Sequence, residues 1–236
     1  MKANFLKKGV VLIAALVLTA GLSLTAFAAE WSDIAPQGAS EGQAWQNPFG
    51  DVRENDWFYH NVEYAYVNSL FSGTSATAFS PGTPMTRGML VTVLGRMSGA
   101  DVSGYVSGFE DVDSGAYYAK YTEWAREKGI VSGVGGNNFA PDAIITRQDM
   151  AVMLAQYAAA MGLEAPAMNA GSAFADAGSI AAYAKDAATA MQKAGIISGK
   201  SDGMFDPKAG ATRAEVSAML HRFVVVFSSG EGAVTD

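Results

Sequence analysis

The sequence predicts an all-α, mainly helical fold: three helix-loop-helix units forming a pseudo-threefold spindle around a central three-helix bundle. Three observations predict it. One order of residues recurs three times along the 236-residue chain. Each copy ends in an apolar stripe with helical spacing. Each copy also places a Gly/Ser-rich turn between its two helical stretches.

The elements come in a fixed order. Each copy opens on an aromatic residue, Phe49, Phe109 or Phe174, with Asp51, Asp111 or Asp176 two positions later. Trp57, Tyr117 and Tyr183 then open helical stretches expected over about 57–70, 117–128 and 183–194. Gly129 and Gly195 are placed to end two of them, because glycine takes the left-handed conformation a helix C-terminus requires. The Ser-Gly pairs follow, with glycines Gly73, Gly133 and Gly199, and then Phe-x-Pro at Phe79, Phe139 and Phe205.

Thr86, Thr146 and Thr212 are N-cap candidates for the second helices. Thr212 with Glu215 makes a capping box, and Thr146 with Asp149 approximates one. Thr86 has Met89 in the acidic position. The second helices carry Leu90, Val93, Leu94, Met97; Met150, Met153, Leu154, Tyr157; and Val216, Met219, Leu220, Phe223. Those offsets trace one helical face, which a lone unit of about 50 residues buries too poorly to fold alone. Three faces buried together supply the core.

The N-terminal 28 residues read as a secretory signal. Lys2, Lys7 and Lys8 precede a long apolar run that ends in Ala26-Phe27-Ala28, a small-residue cleavage site. Retained, the same run is long enough to span a bilayer, so membrane attachment is expected only if the signal is uncleaved. An irregular lead-in (29–46) and a short tail (228–236) flank units expected at 47–105, 106–168 and 169–227. With so little chain outside the repeats, the expectation is a module without a cargo of its own, meeting a protein partner through its lead-in.

Composition narrows the function. Loss of the signal leaves 13 of the 16 basic side chains against 23 acidic ones, a formal net charge of −10. Nucleic acid needs a basic footprint and is excluded as a partner. The chain has no cysteine and two histidines, His60 and His221, and neither histidine stands near a nucleophile motif, so catalysis is not expected. Asp111 and Asp113 begin an acidic turn that lacks the glycine a calcium loop needs at position six, so neither a metal nor a cofactor is expected.

Arg87, Arg147 and Arg213 each follow an N-cap threonine, where a cation opposes the helix dipole. A guanidinium there could join free helix N–H donors on one carboxylate ligand. It could instead pair with its own repeat's Asp51, Asp111 or Asp176 and pin a loop. Trp57, Tyr117 and Tyr183 could stack on sugar faces or pack in the core.

The Phe-x-Asp-Val opening, the aromatic before a helix, the Gly-Ile-[Ile/Val]-Ser-Gly turn, Phe-x-Pro and the Thr-Arg-Ala-Glu block together resemble S-layer homology (SLH) repeats. The resemblance spans about 49–227. It implies a spindle whose inter-repeat grooves bind a cell wall polysaccharide, often pyruvylated, or modified peptidoglycan, at a secreted, cell-surface location. It makes Arg87, Arg147 and Arg213, the three aromatics and the Ser-Gly glycines the ligand-binding set. Asp51, Asp111, Asp176 and the N-cap threonines are then structural or orienting. The block is intact at Arg213, shortened to Thr-Arg-Gln-Asp at Arg147, and lacks its acid in Thr-Arg-Gly-Met at Arg87. Tyrosine replaces the family's tryptophan at 117 and 183. These departures set the three grooves apart from one another. The alternative is a surface-layer scaffold that works through protein contacts.

Overall fold

The computed structural model describes residues 45–200 and 202–229. The expected signal (1–28), most of the lead-in and the end of the tail lie outside the described residues. Among the described residues, six α-helices carry the architecture: α1 (Tyr59–Val67), α2 (Arg87–Met97), α3 (Ala119–Glu127), α4 (Arg147–Ala160), α5 (Lys185–Lys193) and α6 (Arg213–Ser229). Two short 3₁₀ turns, Ala177–Ser179 and Ala182–Ala184, precede α5. Among the described residues there is no β-strand, only isolated bridges, three between repeats and one, Gly135–Asn138, within the second.

The first helix of each repeat begins two residues later than its aromatic suggests. Trp57 and Tyr117 lie in turns closed by the Tyr59 N–H on the Asp56 carbonyl and the Ala119 N–H on the Ala116 carbonyl. Tyr183 lies in a 3₁₀ turn. The aromatics therefore stand on the approach to the helix, not in its packed face. The helices end as the glycines indicate. The Gly129 N–H bonds the Arg126 carbonyl and the Ile130 N–H bonds the Ala125 carbonyl, a Schellman closure. Gly195 and Ile196 repeat it on Gln192 and Met191, and Ser69 and Leu70 on Tyr66 and Ala65.

Within each repeat the opening phenylalanine packs on the Phe-x-Pro phenylalanine. Phe49–Phe79, Phe109–Phe139 and Phe174–Phe205 lie 5.5, 5.4 and 4.9 Å apart. The aspartates lock these pairs. Asp51 accepts from the Phe79 and Ser80 amides, Asp111 from Phe139 and Ala140, and Asp176 from Phe205 and Asp206. The second residue of each pair, Ser80, Ala140 or Asp206, sits at a φ of 56–60°, where side chains are disfavoured. The two-oxygen grip holds that conformation. Burial works against the Asp176 carboxylate, but its amide bonds and the Arg147 charge outweigh that and hold its pKa below the usual value.

The repeats interlock as a ring. α3 packs on α2, α5 on α4, and α1 on α6, so each first helix lies on the second helix of the preceding repeat. Side chains of all three second-helix stripes are buried, and Tyr157 on α4 meets Phe223 on α6 at 5.6 Å. At one end the segments leading into α2, α4 and α6 close a triangle of backbone bonds. Met85 donates to Ala211, Ala211 to Ile145, and Ile145 to Met85. Those three residues are buried, so the triangle is sheltered from competing water. No repeat can make it alone.

Candidate functional site

The triangle explains the arginines. The first-turn amides of each second helix are satisfied by the next strap of the triangle. Arg87 donates its backbone N–H to the Ala143 carbonyl and Gly88 to Pro141. Arg147 and Gln148 donate to Ala209 and Pro207, and Arg213 and Ala214 to Thr83 and Pro81. The third amide bonds the N-cap hydroxyl, Met89 to Thr86, Asp149 to Thr146 and Glu215 to Thr212. The helix start thus has no free first-turn donor, which overturns the expectation that helix amides and guanidinium converge on one anion.

Each guanidinium also reaches across to the following repeat. Arg87 Nε donates to the Phe139 carbonyl at 2.9 Å, Arg147 Nε to Phe205 at 2.7 Å, and Arg213 Nε to Phe79 at 2.8 Å. Each lies over the ring of that same phenylalanine, 4.8, 5.4 and 4.5 Å from its centroid. Arg213 Nη2 adds a 2.7 Å bond to the Ser72 carbonyl. None of the three pairs with its own repeat's aspartate, whose oxygens hold backbone amides instead. The Nε edge of each arginine therefore fastens two repeats together. Each of the three arginines also lines a cleft.

Three clefts follow, each assembled from all three repeats. The first, of about 350 Å³, combines Arg213, the Ser72-Gly73 loop with the α2 face, and Tyr117. The second, about 630 Å³, combines Arg147, the Ser198-Gly199 loop with the α6 face, and Trp57. The third, about 600 Å³, combines Arg87, the Ser132-Gly133 loop with the α4 face, and Tyr183. One repeat gives the arginine, the next the loop and helix face, and the remaining one the aromatic. All three aromatics are exposed, Trp57 and Tyr183 at 63% and Tyr117 at 58%, so core packing is excluded for them.

The sequence profile of the S-layer homology domain matches residues 48–88, 108–151 and 173–217. The chain belongs to the S-layer homology family. An endoglucanase of a Bacillus species is 30% identical over 93% of this chain. A surface-layer 125 kDa protein of Lysinibacillus sphaericus is 34% identical over 46% of it. A cellulosome-anchoring protein of Acetivibrio thermocellus is 28% identical over 50%. The chain spans 22%, 10% and 28% of those proteins' own lengths, so each is a much larger protein that shares this region.

The SLH clefts differ in charge. Beside Arg213 stand Met89 and the exposed Arg96, and among the described residues no carboxylate lies within ion-pair distance of either arginine. Arg147 bonds the Glu215 carboxylate at 2.9 Å, with Lys200 and Arg222 on the same cleft. The Arg87 cleft holds Asp149 and Gln156 in the corresponding places. Asp149 accepts from the Tyr183 hydroxyl and from Thr146, so it is held in the cleft wall. Burial and the nearby Asp149 push the Tyr183 hydroxyl up to about 12. Burial lowers the Arg87 and Arg213 pKa values, opposed at Arg87 by Asp149 and at Arg213 by Asp51. Both remain cationic at any physiological pH.

The arginines are sunk deeper than an outward-facing role implies. Arg147 and Arg213 are 3% and 6% exposed and Arg87 is half-buried. They form cleft floors, and their replacement also costs folding stability. The Ser-Gly glycines line the clefts but have a steric reason of their own. A Cβ at Gly73 would lie 2.5 Å from the Phe49 ring, and one at Gly133 2.6 Å from the Asn138 carbonyl oxygen. Gly199 is less confined, with 3.3 Å to the Met204 carbonyl. The N-cap threonines are bonded to their helices, and Thr212 completes its box through the 2.8 Å bond from its N–H to Glu215.

Sequence reasoning missed Arg96, Arg222 and the cleft-facing role of position 89, 149 or 215. The signal was present: 89, 92, 93 and 96 trace a helical face beside the apolar stripe.

Proposed function

We propose that this chain is a non-covalent cell-wall anchoring module that binds an acidic wall polysaccharide, such as a pyruvylated one, through its inter-repeat clefts. The observation that carries the reading is the Arg213 cleft: two guanidinium groups without an ion-pair partner among the described residues, beside an exposed aromatic ring, on a chain of net negative charge. A carboxylate on a sugar suits that pairing, because guanidinium matches a carboxylate with two parallel donors and an aromatic face covers apolar C–H groups of a sugar ring. The acidic protein surface repels anions elsewhere, so binding is focused at the clefts. Relatives named for the surface layer and for cellulosome anchoring support a cell-surface location.

Enzyme relatives do not extend their chemistry to this chain, because they share under a quarter of their length with it. The test is co-sedimentation of the purified protein with cell wall, before and after removal of its non-peptidoglycan polymer. Binding is expected to disappear with the polymer and to be competed by the released polysaccharide. Persistence on stripped wall would redirect the assignment to peptidoglycan or to a protein scaffold.

A further inference from the structure

The Arg213 cleft has a neighbour. A surface pocket of about 890 Å³ lies between the C-terminal ends of α1 and α2, lined by Tyr66, Asn68, Ser69 and Gly99 among others. It shares Phe71, Ser72 and Arg96 with the Arg213 cleft. We propose that the two form one groove with two compartments, taking consecutive sugars of one acidic glycan. The acidic sugar occupies the Arg213 compartment, an uncharged sugar the outer one, and Arg96 lies between them. The inference rests on the wall-glycan function proposed above.

The outer compartment has the chemistry of a neutral sugar site. Tyr66 packs edge-on against Phe49 at 5.1 Å and remains 38% exposed. The Asn68 side-chain N–H donates to the Tyr64 carbonyl, which leaves Oδ1 as the amide's acceptor. Two helix C-termini converge here, and their partial negative charge disfavours a second anion and favours hydroxyl donors. In the second repeat Arg126 stands where Tyr66 stands in the first; it bonds Glu123 at 2.6 Å and lies over Phe109. A charged pair thus replaces the neutral aromatic wall.

Ser69 adds an independent sign. It holds a φ of 58° at the position where the other repeats have Gly129 and Gly195, at 72° and 73°. Serine there costs stability that glycine would not. Ser69 is exposed and lines the pocket. Keeping a serine at a glycine position is accounted for if its hydroxyl meets ligand.

The test compares two probes by calorimetry: the methyl glycoside of a pyruvate-ketal hexose, and sized wall-polysaccharide fragments of four or more sugars. The wild-type protein is expected to bind the longer fragment about tenfold more tightly. Ser69→Gly is expected to raise the Tm, leave the single-sugar affinity unchanged and weaken the long fragment about fivefold, the scale of one neutral hydrogen bond. Amide resonances of Ser69 and Gly99 are expected to shift with the long fragment alone. Equal wild-type affinity for both probes overturns the outer compartment, as does a Ser69→Gly variant with undiminished affinity and unmoved resonances. Failure of both probes to bind contradicts the wall-glycan function itself.

Discussion

The Arg213 and Arg87 clefts are built on one plan and differ in charge at two positions. Met89 and Arg96 in the first correspond to Asp149 and Gln156 in the second. The first therefore has two cations facing its opening, and the second has one cation offset by a carboxylate. The arginine that defines the family motif is common to both, so it does not set the charge difference between them. It is also the fastener between repeats. The helix face beside it, two turns of α2 or α4, sets the charge. In the proposed glycan binding, fold and specificity reside on different residues of the same cleft.

The largest effect that would sharpen this contrast is at the fastener itself. Arg213→Ala is expected to weaken acidic-glycan binding by about 2–3 kcal/mol and to lower the Tm, since it leaves the Phe79 and Ser72 carbonyls unpaired. Arg87→Ala is expected to lower the Tm while changing affinity by less than about 1 kcal/mol. Calorimetric titration with thermal melts of both variants separates the two roles. Equal affinity losses would break the distinction between the clefts.

Met89→Glu comes next. It places beside Arg213 the carboxylate that Glu215 supplies beside Arg147, and completes a capping box with Thr86. Affinity for an acidic glycan is expected to fall at least about tenfold. Folding stability is expected to rise by about 0.5–1 kcal/mol. The two changes have opposite signs, so misfolding cannot mimic the result. Asp149→Asn makes the converse change: the Arg87 cleft is expected to gain about threefold to tenfold in anion affinity, read from amide shifts at Gly133.

The smallest effect concerns where the clefts stand in the ring. The Arg213 cleft forms where the third repeat meets the first, a joint held by α1 on α6 without a chain connection across it. His221 stacks on Tyr64 there at 4.2 Å and faces Asn61, Arg222, His60 and Glu63. Burial, Arg222 and His60 lower its pKa below the usual 6.5. A histidine depressed in the folded state contributes stability above its unfolded pKa and loses it as the pH falls toward the folded value. The Tm is expected to decline as the pH drops below about 6.5, and His221→Gln to flatten that decline. A pH-independent difference between the two proteins would exclude His221 as the cause.

Much of this was legible in the sequence. The repeat length, the N-cap threonines, the C-terminal glycines and the apolar stripes all describe local structure, and local structure is what spacing reports. Asp51, Asp111 and Asp176 were visible as recurring positions, but their two amide bonds depend on a left-handed residue 29 or 30 positions away, which no local pattern reveals. The cyclic exchange between repeats was hidden for the same reason. Arg147 reaches a carbonyl 58 residues on, and Arg213 one 134 residues back. The helix-start position of each arginine suggested a free anion site. The triangle of straps had already claimed those amides.

The most direct test is a titration of isotope-labelled protein with purified pyruvylated wall polysaccharide, followed by amide and arginine side-chain resonances. The account predicts that Ser72, Gly73, Tyr117 and the Arg213 guanidinium shift first and saturate at the lowest ligand concentration. First or equal saturation at Gly133, Tyr183 and Arg87 would contradict it.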